Sequence, residues 1–221
     1  MSHKSNNYLP ALRFKGLNCL YDPIVAWTCR DKLFKDKLVA QANIQAEHKI
    51  IDMGSGTGTL AMLIKNSQIN SSVTGIDADK HIISIAKKKA KCLNLDIEFT
   101  ESMSFEVPFN TDHFDRCVSS LFFHHLSLKN KTLTFREIYR ILKPEGEIHV
   151  ADWGKPSKPI MRALFYIVQL LDGFETTTAN VNGVLPELME KAGFVDVSIV
   201  EEIPTPLGTM TLYRGMKPAL H

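Results

Sequence analysis

Short apolar runs closed by an acid or a turn residue alternate along this chain with segments whose apolar positions recur every three or four residues. The run 49–53 reads as a buried strand with Asp52 at its carboxyl end, and Leu60, Leu63 and Ile64 then repeat at helical spacing. Residues 72–77 predict a second strand, again ending in an acid. Residues 81–94 predict a helix with Ile82, Ile85, Ala86, Ala90 and Leu93 on one face. Strands three and four fall at 96–100 and 114–121, and a helix at 131–142. That helix stops at the turn Lys143-Pro144-Glu145-Gly146, because proline lacks the amide a helix needs and clashes with the preceding turn. Strand five is 147–153, followed by a turn at 155–159 and an apolar helix at 160–171 that Asp172-Gly173 ends. Residues 175–182 are polar and read as a loop. A helix at 185–192 stops at Gly193, and 195–200 and 210–214 predict the last two strands, with Pro204 and Pro206 in their connection. Strands alternating with helices imply parallel βαβ units and an α/β fold.

Composition narrows this only a little. The chain has 221 residues, 44% hydrophobic and 23% charged, the balance of a folded globular domain. A net charge of +2 gives no footprint for nucleic acid, and the lysines at 87, 88, 89 and 91 read as a solvated face opposite an apolar stripe. Cys19, Cys29, Cys92 and Cys117 are scattered without a C-x-x-C pair, which fits reduced thiols and argues against a disulfide framework or a zinc site. The polar start, residues 1–7, has no apolar signal-peptide core, and the apolar run around 167–171 is far short of a membrane span. The expectation is a cytoplasmic protein of one domain, residues 1–221, with no metal and no nucleic acid and with no more than peripheral membrane contact.

The candidate chemistry centres on Asp52-Met53-Gly54-Ser55-Gly56-Thr57-Gly58-Thr59. Glycine without a Cβ lets a backbone turn approach a ligand closely. The spacing is G-x-G-x-G, whereas the dinucleotide fingerprint G-x-G-x-x-G needs glycine where Thr59 stands. An acid just before the first glycine suits a cofactor with an ammonium group better than a pyrophosphate. Asp77 follows about twenty residues on, where a carboxylate can accept both hydroxyls of a ribose. Thr57 has a second reading as a helix cap.

D-x-G-x-G-x-G resembles motif I of the class I S-adenosylmethionine (SAM) methyltransferases. The resemblance extends over about residues 21–218 to the UbiE-like group, which includes quinone C-methyltransferases. Residues 105–115, with Pro108-Phe109 and Phe114-Asp115, resemble the group's "LPF…D..FD", and His124-His125-Leu126 its "HHL" exit from strand four. Arg140-Ile141-Leu142-Lys143-Pro144-Glu145-Gly146 is similar to "R.LKPGG", with Glu145 in place of the first glycine. Ala192-Gly193-Phe194 matches "AGF", and Leu212 to Lys217 is similar to "LHRGYK". The resemblance implies a Rossmann-like, mostly parallel seven-stranded sheet with helices on both faces and an antiparallel last strand. It implies SAM as cofactor and S-adenosylhomocysteine (SAH) as product. Gly54, Ser55, Gly56, Thr57 and Gly58 would wrap the methionine part beside Asp52, and Asp77 would hold the ribose. Ala78 and the loop Glu101-Ser102-Met103 would meet adenine, Ser120 would sit near the sulfonium, and Tyr21 would close over the cofactor. Tyr21 reads equally well as a core aromatic.

Methyl transfer needs alignment more than acid–base help, since the sulfonium is already an excellent leaving group. Where the acceptor must lose a proton, His125 or His124 is the candidate base; the alternative reading makes one of them a packing or turn residue. The expected acceptor is small and apolar, quinone-, phenol- or lipid-like, used by a monomer or homodimer. Residues 1–45 are expected as a helical cap and 155–185 as an insertion whose apolar helix is a lid, a core helix or a dimer contact. Arg13, Lys15, Arg162 and Arg214 are candidates for an acidic head group. A non-catalytic SAM-binding regulator or partner subunit is the alternative function.

Overall fold

The computed structural model of the chain describes residues 30–156 and 159–219. Its centre is a seven-stranded sheet in the order β3-β2-β1-β4-β5-β7-β6. The strands are β1 (Lys49–Met53), β2 (Ser72–Asp77), β3 (Glu98–Glu101), β4 (Phe114–Ser120), β5 (Leu142–Trp153), β6 (Val195–Thr205) and β7 (Gly208–Met216). Neighbours among β1 to β5 pair in parallel, whereas β7 runs antiparallel to both β5 and β6. The expected antiparallel last strand is therefore present, inserted between β5 and β6. The helices are α1 (Asp31–Ala42), α2 (Thr59–Ser67), α3 (Lys80–Cys92), α4 (Leu128–Ile141), α5 (Pro159–Asp172), α6 (Phe174–Val181) and α7 (Leu185–Ala192).

Alternation along the strands sends successive side chains to opposite faces. Ile50 packs on one face with Phe34 and Leu38 of α1, Leu60 of α2, Ile83 of α3 and Phe165 of α5. Ile51 and Met53 pack on the other with Phe135 and Ile138 of α4 and Leu188 and Met189 of α7. α4 starts three residues before its predicted boundary, because the Ser127 hydroxyl caps it by accepting from Asn130 N–H.

Two expectations fail in instructive ways. Residues 175–182 lie mostly in helix α6 rather than in a loop. The Thr177 hydroxyl donates to Gly173 O (2.7 Å), and the Gln169 amide donates to the Thr177 hydroxyl (3.2 Å). α6 thus buries a polar face, Thr176, Thr177 and Asn180, which apolar periodicity cannot report. Pro204 lies inside β6 rather than in a connection, and this is tolerated because β6 is an edge strand bonded only to β7.

The turn at Lys143–Gly146 ends α4 as expected, but it bulges out of β5 rather than preceding it. Phe114 pairs with Leu142 and Arg116 with Glu147, so two steps on β4 span five on β5. Glu145 adopts φ 63° there, a left-handed conformation that the glycine of the motif it resembles would adopt freely. The bulge is pinned by Glu145 N–H on Lys217 O and Lys217 N–H on Gly146 O, both 2.9 Å.

Candidate active site

The order 2-1-4-5 places the switch point of the sheet between β1 and β4, and ligands of open α/β sheets bind at the carboxyl ends of strands there. Asp52, the glycine turn, Asp77, Glu101, Ser120 and Asp152 all lie at those ends. Gly54, Gly56 and Gly58 all have positive φ, at 71°, 53° and 81°. A Cβ on Gly54 would enter the Phe122 ring at 2.2 Å, so the turn lies directly against that aromatic. At Gly56 a Cβ would meet nothing within 4 Å, so this part of the turn faces open space.

Asp77 braces the turn. Its Oδ2 accepts from Gly56 N–H (3.0 Å) and its Oδ1 from Asp79 N–H (2.9 Å). Burial raises its pKa, against the pull of those backbone donors. β3 delivers the next loop, with Ser102 N–H on Asp77 O (3.0 Å), while the Ser102 hydroxyl is spent on Met103 O and Glu106 O. Thr57 does not cap α2, whose N-cap is Gly58; its hydroxyl accepts from Lys89 Nζ (2.9 Å).

Asp52 is 1% exposed and accepts from Ala61 N–H through Oδ2 (3.1 Å). Its Oδ1 is shut from solvent with no hydrogen-bond partner among the described residues. Burial pushes this carboxyl up to about 7, opposed by the Lys35 ammonium and the Ala61 amide. A buried carboxylate oxygen without a donor beside an open glycine turn fits an ammonium-bearing ligand, because such a group is costly unless paired. The residues present therefore fit SAM.

The histidine pair separates into two environments. His124 is buried, and its Nδ1 lies 2.8 Å from Asp152 Oδ1. Asp152 Oδ2 also accepts from Phe122 N–H and His124 N–H (both 3.2 Å), so this one carboxylate shapes the turn after β4. Burial pushes its pKa up, but the contact with His124, the Trp153 amide and the Lys131 ammonium together hold it below the usual carboxylate value. The His125 ring centroid lies 3.9 Å from that of His124, the two rings tilted by 42°, and His125 is pushed down to about 3, chiefly by burial. Lys131 is buried beneath the turn, donating to Leu126 O and to Thr176 O (2.8 Å), which ties α4, the histidine turn and α6 together. Burial lowers its pKa to about 8.

Asp152 and Lys131 escaped the sequence reading. Asp152 had a signal, since β5 closes on an acid as β1 and β2 do; Lys131 had none beyond its place inside a helix. Tyr21, Arg13 and Lys15 lie outside the described residues. Arg214 is drawn away from this end, paired with Glu147 (2.9 Å) near the amino end of β5, and Arg162 bonds Gln169 (2.7 Å) and covers the Tyr166 ring. Among the described residues no group of three metal-binding side chains converges, and no helix is long and apolar enough to cross a membrane.

Fold, glycine turn and strand-end acids together define a class I SAM-dependent methyltransferase. Residues 50–146 match the model of a family described as a methyltransferase domain. The chain is 28% identical over 165 residues to a demethylmenaquinone methyltransferase of Thermus thermophilus, covering 72% of this chain and 74% of that one. It is 26% identical over 206 residues to the ubiquinone/menaquinone biosynthesis C-methyltransferase UbiE of Desulfotalea psychrophila, covering 85% and 81%. A SAM-dependent methyltransferase of Methanosarcina mazei shares the fold at TM-score 0.66 and 20% identity, over 82% of this chain and 98% of that one. The chain is a SAM-dependent methyltransferase that is similar to the UbiE-like group.

Proposed function

We propose that the acceptor is a lipophilic quinol-type ring and that His124 takes the proton its hydroxyl loses. The observation that carries this is the buried His124–Asp152 pair, 2.8 Å apart, whose carboxylate also accepts from the backbone of Phe122, the aromatic packed against Gly54 of the turn. The two relatives are named for menaquinone or ubiquinone methylation, which supports the acceptor class. When bound, SAM supplies a methyl group activated on a sulfonium.

The chain's own residues do the rest. Asp52 Oδ1 meets the ammonium, the turn Gly54–Gly58 wraps the methionine part, Asp77 takes the ribose hydroxyls, and Ala78 with Glu101, Ser102 and Met103 borders adenine. Ser120 stands near the transfer point, and Tyr21 is assigned to closing the cofactor site. Asp152 accepts the Nδ1 proton of His124, which makes Nε2 the basic nitrogen and stabilises the imidazolium that forms. His125 stays neutral and serves as a wall. The segment 155–185 covers the acceptor: Phe165 packs edge-on to Trp153 at 5.3 Å, and α6 lies on the histidine turn. No observation favours the non-catalytic reading.

The test is methyl transfer from labelled SAM to naphthalene-1,4-diol. His124→Gln should lower kcat about 10²–10⁴-fold, the usual worth of a positioned base, with SAH affinity unchanged. Undiminished kcat in that variant refutes His124 as the base. A wild type that binds SAH and methylates no quinol refutes the acceptor class.

A further inference from the structure

α6 carries its polar residues inward, and all but one of them are accounted for. Thr176 O accepts from Lys131, and Thr177 exchanges hydrogen bonds with Gly173 and Gln169. Asn180, one turn beyond Thr176 on the same buried face, is 0% exposed. Neither its Nδ2 nor its Oδ1 has a hydrogen-bond partner among the described residues. Leaving a buried donor or acceptor unmade costs about 1–3 kcal/mol each, so an isosteric leucine would serve a purely structural helix better. Asn180 therefore costs the free protein stability.

Its place says for what. α6 packs against the turn Phe123–His125 and against β5, the two elements that carry His124 and Asp152. A carboxamide offers one donor and one acceptor side by side, and a phenolic hydroxyl both donates and accepts. We infer that Asn180 hydrogen-bonds a ring oxygen of the acceptor and so sets which edge of the ring faces the His124–Asp152 pair. The inference deepens the quinol reading above and rests on it. It makes Asn180 a specificity residue, since a site built to bond a hydroxyl rejects the analogue that lacks it more strongly than an apolar pocket rejects a missing methylene.

The experiment is calorimetric titration of the SAH-loaded protein with naphthalene-1,4-diol and with naphthalene, on wild type, Asn180→Leu and Asn180→Ala. Wild type should bind the diol at least about tenfold more tightly than naphthalene. Asn180→Leu should erase that preference by weakening the diol alone, with SAH affinity unchanged and the melting temperature equal or higher. Asn180→Ala removes the amide without filling its space, and gives the same loss of preference should the leucine variant fold poorly. A preference unchanged in both variants overturns the assignment, and a lowered melting temperature alongside it identifies a structural carboxamide bridged by buried water. A wild type that binds SAH but not the diol overturns the quinol reading and this inference together.

Discussion

At the scale of single residues, the carboxyl of Asp52 couples cofactor binding to a proton. Burial holds it at about 7 in the free protein, so it is largely protonated below that pH, whereas a cofactor ammonium requires the carboxylate. SAH binding at pH 6 should therefore release close to one proton, and affinity should rise about tenfold per unit as pH climbs towards 7. Above about 7 the carboxylate is already formed and the gain ends. Titrations in two buffers of different ionisation heat measure that release directly. Asp52→Asn should bind more weakly and without the proton; an equal release in that variant would assign the proton elsewhere. Asp52 and Asp77 were legible because each ends an apolar run at a fixed distance from the glycines. Asp152 closes its strand in the same way, but its role could not be read there, since that role lies in the turn 28 residues upstream whose amides and imidazole it gathers.

At the scale of elements, much of what resembles the UbiE-like group is architecture rather than chemistry. Asp115 accepts from Lys49 N–H and pairs with Lys143 (2.7 Å), fastening the start of β1 to the bulge of β5. Lys217 reaches Asp112 (2.6 Å) and the carbonyls of Tyr139 and Leu142, closing the end of α4 where carbonyls lack partners. Arg140 and Glu137 bond each other, and Glu137 accepts from Val107 N–H (2.9 Å), which joins α4 to the loop before β4. One departure from this pattern, Glu145, stands exposed at φ 63° with no side-chain hydrogen bond among the described residues. The left-handed conformation costs a residue with a Cβ about 1–2 kcal/mol, and glycine's extra unfolded freedom returns part of that. Glu145→Gly should therefore stabilise the protein by about 0.5–1 kcal/mol, seen as a higher urea midpoint at unchanged slope. A lower midpoint would mean that the bulge, and not the residue, had been misjudged. The helices with an apolar stripe were readable to within a few positions. α6 was not, because its buried face is made of threonines and an asparagine that take their meaning from α4, α5 and the histidine turn.

At the scale of the whole molecule, groups that titrate in opposite senses sit in one fold, and their balance sets its response to acid. Asp52 is at about 7 when folded and near 3.8 when unfolded, so between those values the folded state binds more protons and this group adds stability as pH falls. His125, at about 3, and the fully buried His149, also lowered by burial, lie below the ordinary 6.5. There the unfolded state takes the protons, so both histidines remove stability as pH falls below 6.5. Between pH 7 and 5 the two effects oppose each other, and the urea midpoint of the cofactor-free protein should change little. Below about 4 the opposition ends: Asp52 has nothing further to add, and Glu147, held at about 2 by its His149 contact, begins to withdraw stability too. Replacing Asp52 by Asn isolates the histidines. That variant should outlast wild type at pH 8, where the buried charge is gone, and then lose stability between pH 7 and 5 by up to about 1.4 kcal/mol per unit more steeply than wild type. Parallel curves for the two proteins would show that Asp52 titrates no differently in the fold than in the unfolded chain, and would remove the proton linkage expected for SAH as well.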